Sequence, residues 1–430
     1  MTEKNYCQNL YLSSGGLIIY RNLLNDPVIS KLRNLLKEFS KDNPDKESVL
    51  NSYYDMQHKL LESAESLNLS GNVLKSYIIN LLVKDKNFFS LTCEKYGCDI
   101  QKDLYNAALN DIRIMRSIVG VDLNSIVSSL DFPCNFLENY SPTNRSEKIC
   151  EFQNYVSALF NSDSDEALLN ALINYYYNIG CAELSNHIAF KWNNTKGLIG
   201  VENFDKVNLD DIVGYEYQKE TLVKNTLDFV SGKPANNVLI IGSAGTGKSS
   251  SVKAVVNKFY SKGLRLVQIS KEQLLCLSDV LKELKSRGKY FIIFIDDLSF
   301  EEFETDYKEM KSVLDGGVED IPKNILIYAT SNRRHLIKET WNDRRADEEL
   351  HSFDSMNEKL SLSERFGVVI TYDSPDKKHY LKIVQSLAKK QKIELDEEAL
   401  NQEASKWELR THGRSGRTAK QFINYISSSI

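Results

Sequence analysis

The stretch Gly242-Ser243-Ala244-Gly245-Thr246-Gly247-Lys248-Ser249-Ser250 constrains this chain more than any other. It fits the spacing G-x-x-x-x-G-K-[S/T], in which glycines let the backbone curl so that successive N–H groups point at phosphate oxygens. The pattern needs a strand before it and a helix after it. The apolar run Asn237 to Ile241 supplies the strand. A helix opening near Lys248 adds the positive end of its dipole to the same spot. Lys248 then reaches the β- and γ-phosphates, and the Ser249 hydroxyl is placed to ligate Mg2+.

Four more short apolar runs follow, at Leu264–Ile269, Phe291–Ile295, Ile325–Ala329 and Val368–Tyr372, with helical stretches between most of them. Near-continuous apolar strands alternating with helices indicate a parallel sheet covered on both faces. Right-handed crossovers then give a three-layer α/β domain.

The ends of those strands carry the remaining candidates. Asp296-Asp297 closes the third run, where a carboxylate points into the ligand crevice. Asp296 is expected to hold the Mg2+ through water, and Asp297 to orient or activate an attacking water. Read blandly, the pair caps a strand end. Asn332, after the fourth run, is placed to hold that water and sense the γ-phosphate, or else to cap a helix. Arg365, before the last run, has the position of an arginine finger serving a neighbouring subunit, or of a surface salt bridge. Arg417 opens a final amphipathic helix (Ala419, Phe422, Ile423, Ile426) and is placed to reach the γ-phosphate, with Arg414 as its competitor.

The first half reads differently. Residues 1–200 hold 19 basic and 23 acidic residues, against 35 and 36 in residues 201–430, and this shift sets a domain boundary near residue 200. Leu32, Leu35, Leu36 and Phe39, then Leu74, Tyr77, Ile78, Leu81 and Leu82, recur at helical spacing. Ser164-Asp165-Glu166 opens a helix carrying Leu168, Leu169, Leu172, Ile173 and Tyr176 and ending before Gly180. Tyr175-Tyr176-Tyr177 reads as a half-buried helix face, with a partner surface as the alternative. No catalytic constellation stands out here. The seven scattered cysteines suit reduced thiols, and Cys93 and Cys98 lack the partners of a zinc site. The start, Met1 to Asn9, is polar and shows no signal peptide, and no apolar run is long enough for a membrane span. A cytoplasmic protein is expected. A net charge of −5 disfavours a strongly basic nucleic-acid binder.

In this order, the residues resemble AAA+ ATPases. Leu209-Asp210-Asp211-Ile212-Val213-Gly214-Tyr215 is similar to the segment that cups adenine in that family, so Val213 and Gly214 join residues 242–250 as expected nucleotide contacts. The match is closer still to a bacterial AAA+ family catalogued as domain of unknown function 815. It is carried by Gly214 to Lys219, Asn225-Thr226, Pro234 to Asn237, the phosphate loop, Asp296 to Glu301, Tyr328 to Leu336, Ser361 to Gly367 and Arg414 to Arg417. The resemblance covers roughly residues 205–425 and implies an AAA+ α/β core (201–375) and a helical lid (376–430); it does not extend over residues 1–200, which their own periodicity marks as an all-α N-terminal partner or regulatory domain. It also implies ATP and Mg2+ as ligands and a ring or arc of like subunits through Arg365.

One departure matters: Asp297 stands where most AAA+ proteins carry Glu. The shorter side chain suggests slow turnover, or help from Glu301 or Glu302. Three functions follow as expectations. The first is an ATP-hydrolysing machine that remodels or loads a macromolecular partner chosen by residues 1–200. The second is a nucleotide-gated switch or scaffold with little turnover. The third is a DNA-associated loader using the basic clusters Arg333-Arg334, Arg344-Arg345 and Lys389-Lys390. Residues 270–280 lack the aromatic-Gly loop of peptide-threading unfoldases, and no Asn-Lys-x-Asp guanine signature is present. The charged stretch 339–359 reads as a long loop.

Overall fold

The computed structural model describes residues 3–130, 137–143, 160, 164–300, 307–314, 321–332, 362–393, 395–411 and 413–428. The chain divides into two compact units, Met1–Ser185 and Asn186–Ile430.

The described part of the first unit is helical: α1 (Glu3–Ser14), α2 (Pro27–Phe39), α3 (Lys46–Leu67), α4 (Val73–Lys84), α5 (Phe88–Tyr96), α6 (Lys102–Val119), α7 (Leu123–Ser128) and α8 (Asp165–Asn178). The periodic residues face inward as expected, with Leu32, Leu35, Leu36 and Phe39 of α2 all buried. Asp26 starts α2 by accepting hydrogen bonds from the amides of Val28 and Ile29, ahead of Pro27, whose missing N–H costs nothing at this position. Its second oxygen accepts from the Tyr77 hydroxyl of α4 at 2.8 Å. Helix α8 begins with the Ser164 side chain accepting from the Ala167 amide. Its tyrosine run splits by helical geometry. Tyr176 is fully buried, whereas Tyr177 is half exposed. The buried Asp111 carboxylate of α6 accepts from the amides of Ile18, Ile19 and Tyr20, at 2.7 to 3.0 Å, and so closes the turn after α1. Cys93 is buried and Cys98 exposed. No cluster of metal-ligating side chains occurs among the described residues.

The second unit holds a seven-stranded sheet in the order β2-β1-β4-β5-β6-β3-β7. Its strands are β1 (Ala189–Asn193), β2 (Gly197–Gly200), β3 (Val238–Gly242), β4 (Leu264–Ile269), β5 (Tyr290–Ile295), β6 (Ile325–Ser331) and β7 (Val368–Tyr372). The five expected strands pair in parallel. The central strands are buried along their length because helices cover both faces. Val238, Ile240, Leu266 and Ile292 point to one face, where they meet Leu222 and Phe229 of α9 (Glu216–Val230) and Val252 and Val255 of α10 (Lys248–Phe259). Against β6 on this sheet packs α11 (Leu277–Lys285), which also meets α12 (Tyr307–Leu314). Strand β7 lies at the edge, and Val369 on it is half exposed.

Two strands depart from the sequence reading. A boundary near residue 200 would assign β1 and β2 to the helical unit. The chain instead divides after Ser185, and β1 adds in parallel to β4 while β2 returns antiparallel to β1. Asn193 makes the turn: its side-chain oxygen accepts from the amides of Thr195 and Lys196, and Gly197 follows at φ +72°.

The C-terminal helices α13 (Lys377–Lys390), α14 (Glu397–Arg410) and α15 (Gly416–Ser427) have a small core of their own, built from Tyr380, Val384, Leu400, Ala404, Phe422 and Ile423. No helix among the described residues is long and apolar enough to cross a membrane.

Candidate functional site

Strand β3 ends at Gly242 and α10 begins at Lys248, so the intervening loop wraps the positive end of a helix. Above it lies a cleft of about 1040 Å³. Its floor is residues 244–250, one wall is Asp296, Asp297, Thr330 and Asn332, and the roof is Arg417 and Lys420 of α15. The far end is apolar, formed by Val207, Ile212, Val213, Ile383, Leu387 and Ile423. The Asn257 side chain holds the approach to that end, donating to the carbonyls of Asp205 and Val207 at 2.9 Å.

One continuous hydrogen-bonded chain ties the polar wall together. Ser249 Oγ donates to Asp296 Oδ1 at 2.6 Å. Thr330 Oγ1 donates to the same oxygen at 2.5 Å and accepts from the Asp297 amide at 2.9 Å. Asn332 Nδ2 donates to Asp297 Oδ1 at 2.6 Å, and its Oδ1 accepts from Lys248 Nζ at 2.8 Å. Lys248 also donates to the carbonyls of Gly242 and Ser243. Burial holds the Lys248 ammonium below the usual lysine range, while the charges of Asp297 and Asp296 pull the other way. Asp297 sits at φ +54°, a left-handed conformation that costs a non-glycine residue free energy.

The lid meets the loop directly. The Gly416 amide at the start of α15 donates to the Gly245 carbonyl at 2.8 Å. A Cβ on Gly245, at φ +78°, would come within about 3 Å of Ser415 and Arg417, so only glycine lets the two segments close. The two late arginines lie in different surroundings. Arg414 Nε donates to the buried carboxylate of Glu408 at 2.6 Å, while Arg417 lines the cleft.

Of the residues singled out in the sequence, Val213, residues 244–250, Asp296, Asp297, Asn332 and Arg417 line this cleft. Gly242 and Ser243 stand behind it as acceptors for Lys248, and Gly214 lies behind Val213, against His379. Arg365 is half-buried just before β7 and is not part of the lining. Glu301, Glu302, the clusters Arg333-Arg334 and Arg344-Arg345, and the stretch 339–359 lie outside the described residues. Lys390 pairs with Asp211 at 2.6 Å, and this contact holds the Asp211 carboxyl below the usual range. Sequence reasoning missed Thr330, whose signal was a hydroxyl residue ending an apolar parallel strand. It also missed His379 and the apolar lid residues Ile383 and Leu387.

The chemistry of these groups suits a magnesium nucleotide. Ser249 and Asp296 are hard oxygen donors already converged on one point. The helix end, Lys248 and Arg417 favour polyanionic phosphate. The apolar far end matches a flat base. The whole is a P-loop-type α/β core with a helical lid, a fold of the nucleotide-binding kind.

Residues 185–430 match the family model described as "Protein of unknown function (DUF815)". Among curated proteins nothing matches the chain. Among solved structures, Thermotoga maritima RuvB, titled a Holliday junction branch migration motor, is 17% identical with a TM-score of 0.37. That match covers 52% of this chain and 65% of the other. A proline-to-glycine mutant of the same RuvB is 18% identical at the same TM-score and coverage. A lysine-to-arginine mutant of it is 14% identical at 0.33, covering 51% and 72%. The chain thus spans somewhat under two thirds of the RuvB chain it matches first.

Proposed function

The chain belongs to the DUF815 family, whose model matches more than half of it, and we propose that it is an Mg2+-dependent ATPase that remodels or loads a macromolecular partner. The observation that supports this most is the unbroken chain of hydrogen bonds from Ser249 through Asp296, Thr330, Asp297 and Asn332 to Lys248. Groups that must act on one phosphoryl transfer are already oriented against each other, which is where most of the catalytic gain in this chemistry arises.

In this reading Ser249 and Asp296 would hold Mg2+, which would offset the charge of the β- and γ-phosphate oxygens. Lys248 leaves the loop carbonyls for those oxygens. Asp297, steered by Asn332, orients the attacking water. Arg417 meets developing charge on the γ-phosphate from the lid. Arg365, which does not line the cleft of its own chain, serves the cleft of a neighbouring copy in a ring or arc. The first unit selects the protein partner.

A second reading, a nucleotide-gated switch with little turnover, draws on Asp297. Its carboxylate is one methylene shorter than glutamate and is held by Asn332 at 2.6 Å. A DNA-loading role draws less support, since the Lys390 cation of its one described basic cluster is engaged by Asp211.

The test is phosphate release and ATP binding by wild type, Lys248→Ala and Arg365→Ala. Wild type is expected to turn over many times, Lys248→Ala to release no phosphate, and Arg365→Ala to bind ATP but hydrolyse it more than about tenfold more slowly. A wild type that binds no ATP ends the proposal. Tight binding without turnover selects the switch.

A further inference from the structure

We propose that His379 is a positioning residue for the base end of the cleft: its imidazole fastens residues 211–215 to the first turn of lid helix α13, so that nucleoside affinity and lid attachment become one property. The inference rests on reading the cleft as a nucleotide site.

Residues 211–213 and Tyr215 line the apolar end of the cleft, yet the segment is neither helix nor strand beyond a single turn at Leu209–Asp211. Its shape must therefore come from side chains. Two of its carbonyls are taken by side chains: Lys219 Nζ donates to Ile212 O at 2.9 Å, and His379 Nε2 lies 2.7 Å from Val213 O. A carbonyl can only accept, so Nε2 carries the proton of this contact. His379 itself is fixed at the start of α13, where its amide donates to the Asp376 side chain at 2.7 Å.

The backbone beside this contact is strained. Gly214 and Tyr215 both stand at positive φ, +78° and +59°. A Cβ on Gly214 would lie 2.3 Å from His379 Nε2, so the glycine is required by the imidazole as well as by its φ. Tyr215 has no such excuse, and a non-glycine residue keeps this conformation only when its surroundings over-determine it. They do. Its ring lies 4.9 Å from His379 and 4.7 Å from Tyr372, and its hydroxyl donates to the Asp373 carbonyl at 2.7 Å. At the other end of α13, Lys390 pairs with Asp211. That ion pair is exposed and contributes little. The half-buried side of the attachment is the imidazole.

His379 does not line the cleft. Its effect passes through the carbonyl of Val213 and the ring of Tyr215, and it reaches only the nucleoside half of a ligand. The phosphate half sits on residues 244–250.

The experiment measures binding of Mg-ATP and of Mg-tripolyphosphate, a phosphate chain without a nucleoside, to the full chain and to His379→Ala and His379→Gln. Glutamine keeps an N–H donor at about the reach of Nε2. His379→Ala is expected to weaken ATP about tenfold, the worth of one net hydrogen bond, and to leave tripolyphosphate within about twofold. His379→Gln is expected to recover most of the loss. Equal weakening of both ligands, unchanged ATP binding, or no recovery with glutamine overturns the assignment. A wild type that binds neither ligand overturns the nucleotide site itself, and so separates the two failures.

Discussion

The two units use hydrogen-bonded polar groups for opposite ends. In the first, three of them close on the fold: the Asp111 carboxylate on three amides, Asp26 on a helix start and Tyr77, and the Tyr176 hydroxyl on the Leu82 carbonyl. In the second, the chain from Ser249 to Lys248 closes on itself along a cleft wall, and its members leave one side open. A closed group stabilises. An open one is oriented at some cost, as Asp297 is at positive φ, and the cost makes sense only if something else is to be bound. Changes in the first unit should therefore show in stability and changes along the cleft wall in turnover.

The largest effect should come from Asp111→Ala. It strands the amides of Ile18, Ile19 and Tyr20, the last two on buried residues. The first unit should lose about 3 kcal/mol or more. Denaturant unfolding checks it, together with ATP affinity at low denaturant, which should not move. A large loss of ATP affinity without a loss of stability would break the comparison.

The same contrast explains what was legible in the sequence. Strands β3 to β6 announced themselves because a strand buried on both faces must be apolar throughout, as Phe291 to Ile295 is, and the edge strand β7 by its β-branched run Val368-Val369-Ile370-Thr371. Strands β1 and β2 did not, because Ala189-Phe190-Lys191-Trp192-Asn193 and Gly197-Leu198-Ile199-Gly200 lie towards the edge and need only pair with β4 and each other. That Lys248, Ser249 and Asp296 share one cleft was readable because local spacing places them at the ends of neighbouring elements. Arg417 was preferred over Arg414, but three positions apart both stand within reach of the same spot. The buried Glu408, brought alongside by α14, engages Arg414, while Arg417 lines the cleft. Thr330 was in view, but its role depends on the chain after β5 folding back on β6. His379 was out of reach altogether, meeting Val213 across 166 positions.

Thr330→Val sharpens the second half of the contrast. Valine keeps the shape and loses the hydroxyl that sets Asp296 and the Asp297 amide relative to each other. Turnover should fall roughly tenfold, or about 1.4 kcal/mol in the barrier, with ATP affinity changed by less than about threefold. Thr330→Ser should restore it. If valine lowers the melting temperature by many degrees while sparing turnover, the cleft wall is structural after all.

The smallest effect tests the closed side by pH. Tyr20 and Tyr176 are fully buried and share a hydrogen bond at 3.0 Å. Burial pushes both phenols well above their ordinary value of roughly 10. A pKa raised in the folded state means stability that is complete below about pH 10 and lost as pH rises beyond it, because only the unfolded chain ionises there. Each such phenol adds about 1.4 kcal/mol per pH unit to the slope. Tyr176→Phe removes one. It also removes the bond to the Leu82 carbonyl at 2.6 Å, costing about 1 kcal/mol at neutral pH. Unfolding midpoints of wild type and variant at about pH 7 and about pH 10.5 should therefore converge. Parallel loss in both proteins would mean that the Tyr176 hydroxyl meets solvent, and that the first unit is less closed than its hydrogen bonds require.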